Sequence, residues 1–301
     1  MQRTLCVALV CGVITALLGC GDETERARSF PSQREVGASH TTSSVSDQAT
    51  SASAPSELES ENARARAPWK QTTMYTFLHQ PFEDAIQPAP PRGSRRPPDI
   101  TITGKSVGKL FEEAKRRWPE VSFVTPTGNL RRPIATMETE LGEMEITLWP
   151  EIAPNHVRAF VVLAELGYYD GLFFEVRVGD RKEGTLPRAI GGGSPEAQGQ
   201  TSASIGFWLK PEILLPEQAR ARGIRHQPGT MFCPWLGCFF YIALSEAPMW
   251  EGEFVTLGEV VRNLSVAERI FDRLGEESDP PQIRRVTVRW QDTGKSLYDL
   301  R

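Results

Sequence analysis

Charge of one sign is not in excess in this sequence. The 301 residues include 34 Lys and Arg and 38 Asp and Glu, which gives a formal net charge of −4, and both signs are mixed along the chain. Proteins that bind nucleic acid or an anionic membrane surface through their fold carry clustered Lys and Arg, because those side chains neutralise phosphate groups. The composition therefore argues against a nucleic-acid-binding function.

Histidine and cysteine are also scarce. The four histidines are scattered and suggest no catalytic triad or metal-binding set: His40, His79, His156 and His226. Cys233 and Cys238 are separated by four residues, which differs from the C-x-x-C of redox motifs and lacks the second ligand pair of a zinc site. A disulfide and two buried thiols are both compatible with this pair. We expect no metal and no organic cofactor.

The N-terminal apolar run is too short for a comfortable transmembrane helix. In "MQRTLCVALVCGVITALLGCGD" it extends from Leu5 to Leu18 and follows Arg3, which is typical of a secretory signal. The ending "LLGC" resembles a bacterial lipobox, which implies that residues 1–19 are removed and that Cys20 carries diacylglycerol. A cleaved signal without lipid is the alternative. Both predict an exported protein, and the lipid would anchor it to a bacterial cell membrane at the periplasmic or outer-membrane face.

Two segments separate this signal from the main domain. Residues 20–68 include a 24-residue stretch with 11 Ser or Thr, "GASHTTSSVSDQATSASAPSELES", and predict a disordered tether. Residues 69–132 form an N-terminal extension with one predicted helix at 106–118. Ser106 is its expected N-cap, and one apolar face is formed by Val107, Leu110, Phe111, Ala114 and Trp118.

Residues 133–292 predict a compact, mainly β domain, followed by a C-terminal tail at 293–301. "ATMETELGEMEITLW" alternates on both sides of Leu141-Gly142, which favours a β-hairpin. "APNHVRAFVVLAELG" predicts a helix with Pro154 in its first turn and His156 at its surface or edge. The strands that follow are "FFEVRV", "RAIGGG", "GTMFC", "CFFYIAL", "FVTLGEVV" and "QIRRVTVRW", with a second helix at "LSVAERIFDRL". Many short strands with two helices predict a closed antiparallel barrel capped at its ends.

The order of these parts resembles the cyclophilin family of peptidyl-prolyl cis-trans isomerases. The motifs that carry the resemblance are A-P-x-x-V-x-x-F at Ala153 to Phe160, "GYYDG" at 167–171, "GGGSP", "GFWLKPEI", "PGT", "CFFYIAL" and "WEGEFVTLGEVV". The resemblance spans about 133–292 and implies an eight-stranded antiparallel barrel capped by two helices, with a surface groove that holds an Xaa-Pro segment.

The resemblance also implies a proline pocket. Phe240 is matched to the second phenylalanine of the family's Q-F-F-I-T-L, whose ring forms the pocket floor, and Phe239 is expected to face the core. The neighbouring residues at or beside pocket-lining positions are Phe232, Met249, Trp250 and Phe254. Their apolar character suits a pyrrolidine ring.

The family's catalytic arginine has no direct match. In F-H-R-V it donates toward the prolyl nitrogen, whereas here "FFEVRV" places Glu175 at the histidine and Val176 at the arginine when counted without gaps. Arg177 is one residue late and would face the opposite side of a regular strand. A one-residue bulge near Leu172 or Phe173 would return Arg177 to the pocket. We favour the bulge, which makes Arg177 the candidate catalytic residue.

Other departures concern substrate binding. Gly191 stands where the family has a glutamine, Phe254 stands at its late histidine, and the long A-N-A-G-P-N-T-N-G-S segment is shortened to "CPWLG". Two functions fit these residues. The first is a peptidyl-prolyl isomerase, weakened by the missing donors, that acts on Xaa-Pro bonds of exported or envelope proteins. The second is a non-catalytic module that binds proline-containing segments or acts as a scaffold.

Overall fold

The computed structural model describes residues 67–180, 186–196, 204–234, 237–276 and 279–300. The predicted signal, most of the predicted tether and the lipidation site Cys20 lie outside these residues. Within the described residues, no helix has both the length and the apolar character needed to cross a membrane.

Eight antiparallel strands form one sheet. They are β1 (Asn129–Thr139), β2 (Gly142–Leu148), β3 (Phe174–Val178), β4 (Ala189–Gly192), β5 (Thr230–Cys233), β6 (Phe240–Ala243), β7 (Val255–Arg262) and β8 (Ile283–Ser296). Their order is β3-β4-β6-β5-β7-β2-β1-β8. Backbone hydrogen bonds from Ile283 to Leu172 and from Phe174 to Pro281 join the two ends of this order. The sheet is therefore closed into the predicted barrel.

The predicted hairpin is confirmed. β1 pairs with β2 from Ile134 opposite Thr147 to Thr139 opposite Gly142. Gly142 has a φ of 125°, a conformation that L side chains rarely adopt, so glycine suits this turn. β1 begins at Asn129 and β8 ends at Ser296, so the barrel strands extend a few residues past positions 133 and 292.

Six α-helices accompany the described strands: α1 (Thr73–Leu78), α2 (Phe82–Ala85), α3 (Val107–Arg117), α4 (Pro154–Glu165), α5 (Pro216–Ala221) and α6 (Leu264–Glu276). The helix expected at 106–118 is α3, and the Ser106 side chain accepts a hydrogen bond from the Lys109 backbone N–H as predicted. The two helices predicted within the barrel domain are α4 and α6, which pack against its strands. The short helices α1, α2 and α5 were not predicted, so the expectation of a single helix in the extension at 69–132 is wrong.

Helix α4 is buried on nearly all sides, and this corrects the expectation for His156. That side chain is only 2% exposed. Its Nδ1 lies 2.7 Å from Glu212 Oε2, and the same carboxylate accepts hydrogen bonds from the backbone N–H groups of Asn155 and His156. A carboxylate at a helix N-terminus is stabilised by the free N–H groups there. The pattern of α4 alone could not reveal Glu212, which is distant in sequence.

The N-terminal extension shares one core with the barrel. Leu78, Phe82 and Trp118 are buried in the same apolar cluster as Val157 and Phe160 of α4. Trp118 Nε1 donates to the Gln80 carbonyl over 3.0 Å, and Lys105 Nζ donates to the Gly167 carbonyl just after α4. The extension therefore packs as an integral part of the folded unit.

Candidate functional site

One row of residues crosses the outer face of the barrel from β3 to β7. The directly paired positions are Val176 with Gly191, Gly191 with Tyr241, Tyr241 with Phe232, and Phe232 with Thr256. Paired residues of antiparallel strands have their side chains on the same face. The adjacent row contains Ile190, Ile242 and Met231, which are fully buried in the core inside the barrel.

Aromatic rings cover the middle of this outer row. We call them the aromatic cluster: Phe232, Phe239, Tyr241, Trp250 and Phe254. Ring centroids are 5.3 Å apart for Phe232 and Tyr241, 5.2 Å for Phe232 and Trp250, and 5.1 Å for Phe239 and Tyr241. These are direct ring contacts. Tyr241 is only 6% exposed and Phe232 2%, so the rings occupy the space above the strands.

Gly191 makes room for these rings. A Cβ atom at this position would lie 2.8 Å from Cδ1 and Cε1 of Tyr241 and 3.0 Å from Cε1 of Phe239. Real Cβ atoms essentially never approach another heavy atom that closely. The packing of Tyr241 therefore requires a residue without a side chain at position 191.

A buried histidine extends the cluster toward β7. The His226 ring is stacked on Phe232 at a centroid distance of 5.0 Å, and its Nε2 lies 3.2 Å from Thr256 Oγ1. Burial lowers the pKa of His226 to about 4. The imidazole is therefore neutral near pH 7 and serves as a packing and hydrogen-bonding group.

The prediction for Phe240 and Phe239 is wrong in its choice of face. Phe240 points into the barrel, where its ring contacts Phe174 at 5.8 Å and Tyr169 at 5.9 Å. Phe239 is buried on the outer side, against Tyr241. The outer position expected for Phe240 is held by Tyr241, which the sequence analysis missed. The signal was present, since "CFFYIAL" is one residue longer than Q-F-F-I-T-L, and counting back from Leu244 matches the second phenylalanine to Tyr241.

The prediction that a bulge brings Arg177 into the groove is also wrong. β3 does contain a bulge, but it lies at Glu175, because Phe174 and Val176 pair with the consecutive residues Gly192 and Gly191. The bulge turns Val176 to the outer face. Arg177 pairs with Ile190 and lies beneath α6, with its Cζ 4.2 Å from the ring centroid of Phe271. Its guanidinium packs away from the aromatic cluster.

The other predicted pocket residues are partly brought together. Phe232, Trp250 and Phe254 are in mutual contact, with Trp250 in a short 3₁₀ turn before β7. Met249, in the same turn, is 59% exposed. Three of the predicted pocket residues therefore belong to the aromatic cluster, in which Tyr241 is almost wholly buried.

The two cysteines are buried free thiols. Burial raises the pKa of Cys238 to about 12 and also raises the pKa of Cys233. Since the thiolate is the reactive form, neither sulfur suits nucleophilic or redox chemistry at neutral pH. In the described ranges, no group of three or more His, Cys, Asp or Glu side chains could hold a metal ion.

Comparison with known proteins identifies the family. The family model described as cyclophilin type peptidyl-prolyl cis-trans isomerase/CLD matches residues 134–290, just over half of the chain. The chain belongs to this cyclophilin family.

Individual relatives match the same half of the chain. The peptidyl-prolyl cis-trans isomerase ppi1 of Schizosaccharomyces pombe is 31% identical over 150 residues, which cover 48% of this chain and 89% of the relative. Peptidyl-prolyl cis-trans isomerase CYP18-2 of Arabidopsis thaliana is 27% identical over 154 residues, which cover 50% and 87% of the two chains. A crystal structure of a Cryptosporidium parvum cyclophilin type isomerase is 17% identical, with a TM-score of 0.43, and covers 52% of this chain and 98% of that chain.

Proposed function

We propose that this protein is an exported, lipid-anchored member of the cyclophilin family that acts as a non-catalytic scaffold at a bacterial membrane surface. The observation that carries this proposal is Val176, which lies on the outer row of β3 beside Gly191 and Tyr241. In cyclophilins an arginine in this part of the strand acts on the substrate. A valine side chain has no hydrogen-bond donor.

The missing donor bears directly on the chemistry. Rotation about a peptide bond crosses a barrier of roughly 18 to 20 kcal/mol, because the nitrogen lone pair is delocalised into the carbonyl. A donor aimed at the prolyl nitrogen withdraws that lone pair and lowers the barrier. Loss of one preorganised donor reduces turnover by roughly a hundredfold in enzymes that depend on such groups.

The aromatic cluster supports the same conclusion for substrate binding. A proline ring needs an open apolar hollow, but Phe232 and Tyr241 are stacked there and almost wholly buried. Entry of a proline ring would require these rings to separate, which would expose apolar area that is now covered. The packing therefore favours a scaffold over a module that binds proline-containing segments at this position.

A weak peptidyl-prolyl isomerase that acts on exported proteins is the second candidate. Membership of the isomerase family favours it. Export and anchoring, in both candidates, rest on "LLGC" and the polar tract that follows it. The proposed location is the periplasmic or outer-membrane face, with the lipid on Cys20 as the membrane contact.

A protease-coupled isomerisation assay distinguishes the two candidates. It compares the detergent-solubilised full chain, its Val176→Arg variant and an active cyclophilin on one Xaa-Pro peptide. The scaffold proposal expects the wild type to leave the uncatalysed rate unchanged. Acceleration in proportion to the concentration of the wild type would reject it and establish the isomerase.

A further inference from the structure

A cleft with a volume of about 350 Å³ lies where the N-terminal extension meets α4, well away in sequence from the aromatic cluster. Its walls come from the segment between α1 and α2, from the end of α3, and from Arg158 of α4. The lining residues are His79, Gln80, Pro81, Phe82, Glu83, Lys115, Trp118, Pro119, Val121 and Arg158. The volume is within the range of small-molecule sites.

Arg158 is the unusual residue of this cleft. It is 2% exposed, yet it carries a positive charge. Its Nη2 donates to the Leu78 carbonyl and its Nε to the Val121 carbonyl at 3.4 Å, while its Cζ lies 5.4 Å from the Trp118 ring centroid. Nη1 is buried and has no hydrogen-bond partner. In the described ranges, Arg158 has no carboxylate at ion-pair distance.

The buried guanidinium of Arg158 favours the binding of an anion. A buried charge is costly to maintain unless it is paired and its hydrogen-bonding groups are satisfied. Here burial lowers the pKa of Arg158 to about 10, and the charge of Glu212 offsets only part of that effect. The guanidinium is still protonated at neutral pH, with one nitrogen that has no acceptor. An anion bound in the cleft would supply both the missing charge and the missing acceptor.

We propose that this cleft binds a small carboxylate attached to an apolar group. Arg158 Nη1 is covered by protein atoms in the structure, so the cleft wall must shift before Nη1 can donate to a carboxylate oxygen. The planar guanidinium matches the geometry of a carboxylate, and the rings of Phe82 and Trp118 suit a flat apolar group beside it. Lys115 at the rim adds attraction, but it is paired with Glu83 at 3.0 Å. Glu83 would repel a doubly charged phosphate, so a singly charged acid fits best.

The ligand could be a free aromatic acid or the C-terminal carboxylate of a hydrophobic peptide. Both present the same chemistry to Arg158. A matched pair of probes tests that chemistry on the full chain in detergent: benzoate and its neutral analogue benzamide. A second pair tests the source: a short peptide that ends in phenylalanine with a free carboxylate, and the same peptide with an amidated C-terminus. Ligand-induced thermal stabilisation and ligand-observed NMR measure binding.

The proposal expects the carboxylate member of at least one pair to bind and its neutral partner not to bind. Arg158→Met should weaken that binding by at least about tenfold, the usual effect of losing a hydrogen bond to a charged group. The control is Arg269→Met, since Arg269 also donates to a backbone carbonyl, that of Leu141, but lies on the exposed face of α6. This control should bind the acid as the wild type does.

Arg158 also holds the extension to α4, so its loss could prevent folding. Lys115→Glu is a second variant that should fold, because Lys115 is half exposed. Reversing its charge should weaken carboxylate binding by at least about threefold through repulsion. The proposal is overturned if acid and amide bind equally, if neither carboxylate probe binds, or if binding survives Arg158→Met or Lys115→Glu unchanged.

Discussion

The rings of Phe232 and Tyr241 lie nearly parallel, with 5.3 Å between their centroids and 14° between their planes. They project from paired positions on β5 and β6, on the outer face of the barrel. From the family resemblance, we propose that this stack fills the place where a substrate-binding cyclophilin holds a proline ring. Because Gly191 lies beneath Tyr241 on the next strand, the closed packing depends on residues from three strands.

The close contact at Gly191 predicts a large effect of a single methyl group. Gly191→Ala should reduce the free energy of unfolding by about 1–3 kcal/mol, because the new Cβ must displace the rings of Tyr241 and Phe239. Gly108→Ala is the matched control, since a Cβ there meets nothing within 4 Å and lies in α3. It should raise the free energy of unfolding by up to about 1 kcal/mol. Urea unfolding measures both, and equal effects would refute the packing argument.

Arg177 should contribute to stability and not to any chemistry in the groove. Its contact with the Phe271 ring at 4.2 Å is a cation–π interaction. Arg177→Ala should therefore lower the free energy of unfolding by roughly 1 kcal/mol. Thermal unfolding checks this, and the isomerisation assay run beside it should be unaffected. Unchanged stability of Arg177→Ala would refute the packing of Arg177 against Phe271.

His226 should make the protein less stable in mild acid. Its pKa in the folded state is about 4, below the usual 6.5, because burial disfavours the charged form. Between these two values the unfolded chain takes up a proton that the folded chain does not. Stability is therefore unaffected above about pH 6.5 and falls by up to about 3 kcal/mol as the pH decreases to about 4.

The variant His226→Gln isolates this contribution. Its free energy of unfolding, measured from pH 7 to pH 4, should decrease less than that of the wild type. The difference between the two curves should develop between about pH 6.5 and 4. Parallel curves would mean that His226 titrates with a normal pKa in the folded protein.

Lipid attachment is predicted from the sequence alone, at Cys20 in "LLGC". Cells grown with labelled fatty acid should incorporate label into the wild type and not into Cys20→Ser, which should be released from the membrane fraction. Replacement of Cys11 by serine is the matched control and should leave labelling intact. Equal labelling of the wild type and Cys20→Ser would exclude the lipobox.

Local patterns were sufficient to predict most of the barrel. Apolar residues alternate on both sides of Leu141-Gly142 and recur with the helical period in α3. Each element buries one face with this period, so the hairpin and the helix could be predicted from the sequence. The family motifs predicted how these elements assemble into an eight-stranded barrel. The short helix α5 carries only one buried side chain, Ala219, and offered no comparable pattern.

The functional face was harder to predict, because strand register decides it. A shift of one residue moves a side chain to the opposite face of a sheet. A shift of one residue is the reason why Tyr241 faces outward in place of Phe240. In β3, the bulge at Glu175 places Val176, and not Arg177, on the outer face. The closure of the pocket depends on Gly191 fitting beneath Tyr241, a contact between strands that no local pattern records.

Phe232 and Tyr241 are stacked and almost wholly buried on the outer row, and the proposed scaffold function expects that no proline ring binds against them. The most direct measurement is an NMR titration of a fluoroproline-labelled Xaa-Pro peptide with the full chain, using an active cyclophilin as the positive control. The proposed scaffold function predicts a fluorine signal that stays unchanged up to millimolar protein. Saturable binding with an aromatic ring-current shift of the fluorine signal would contradict it, because the proline would then have to lie against the rings of Tyr241 and Phe232.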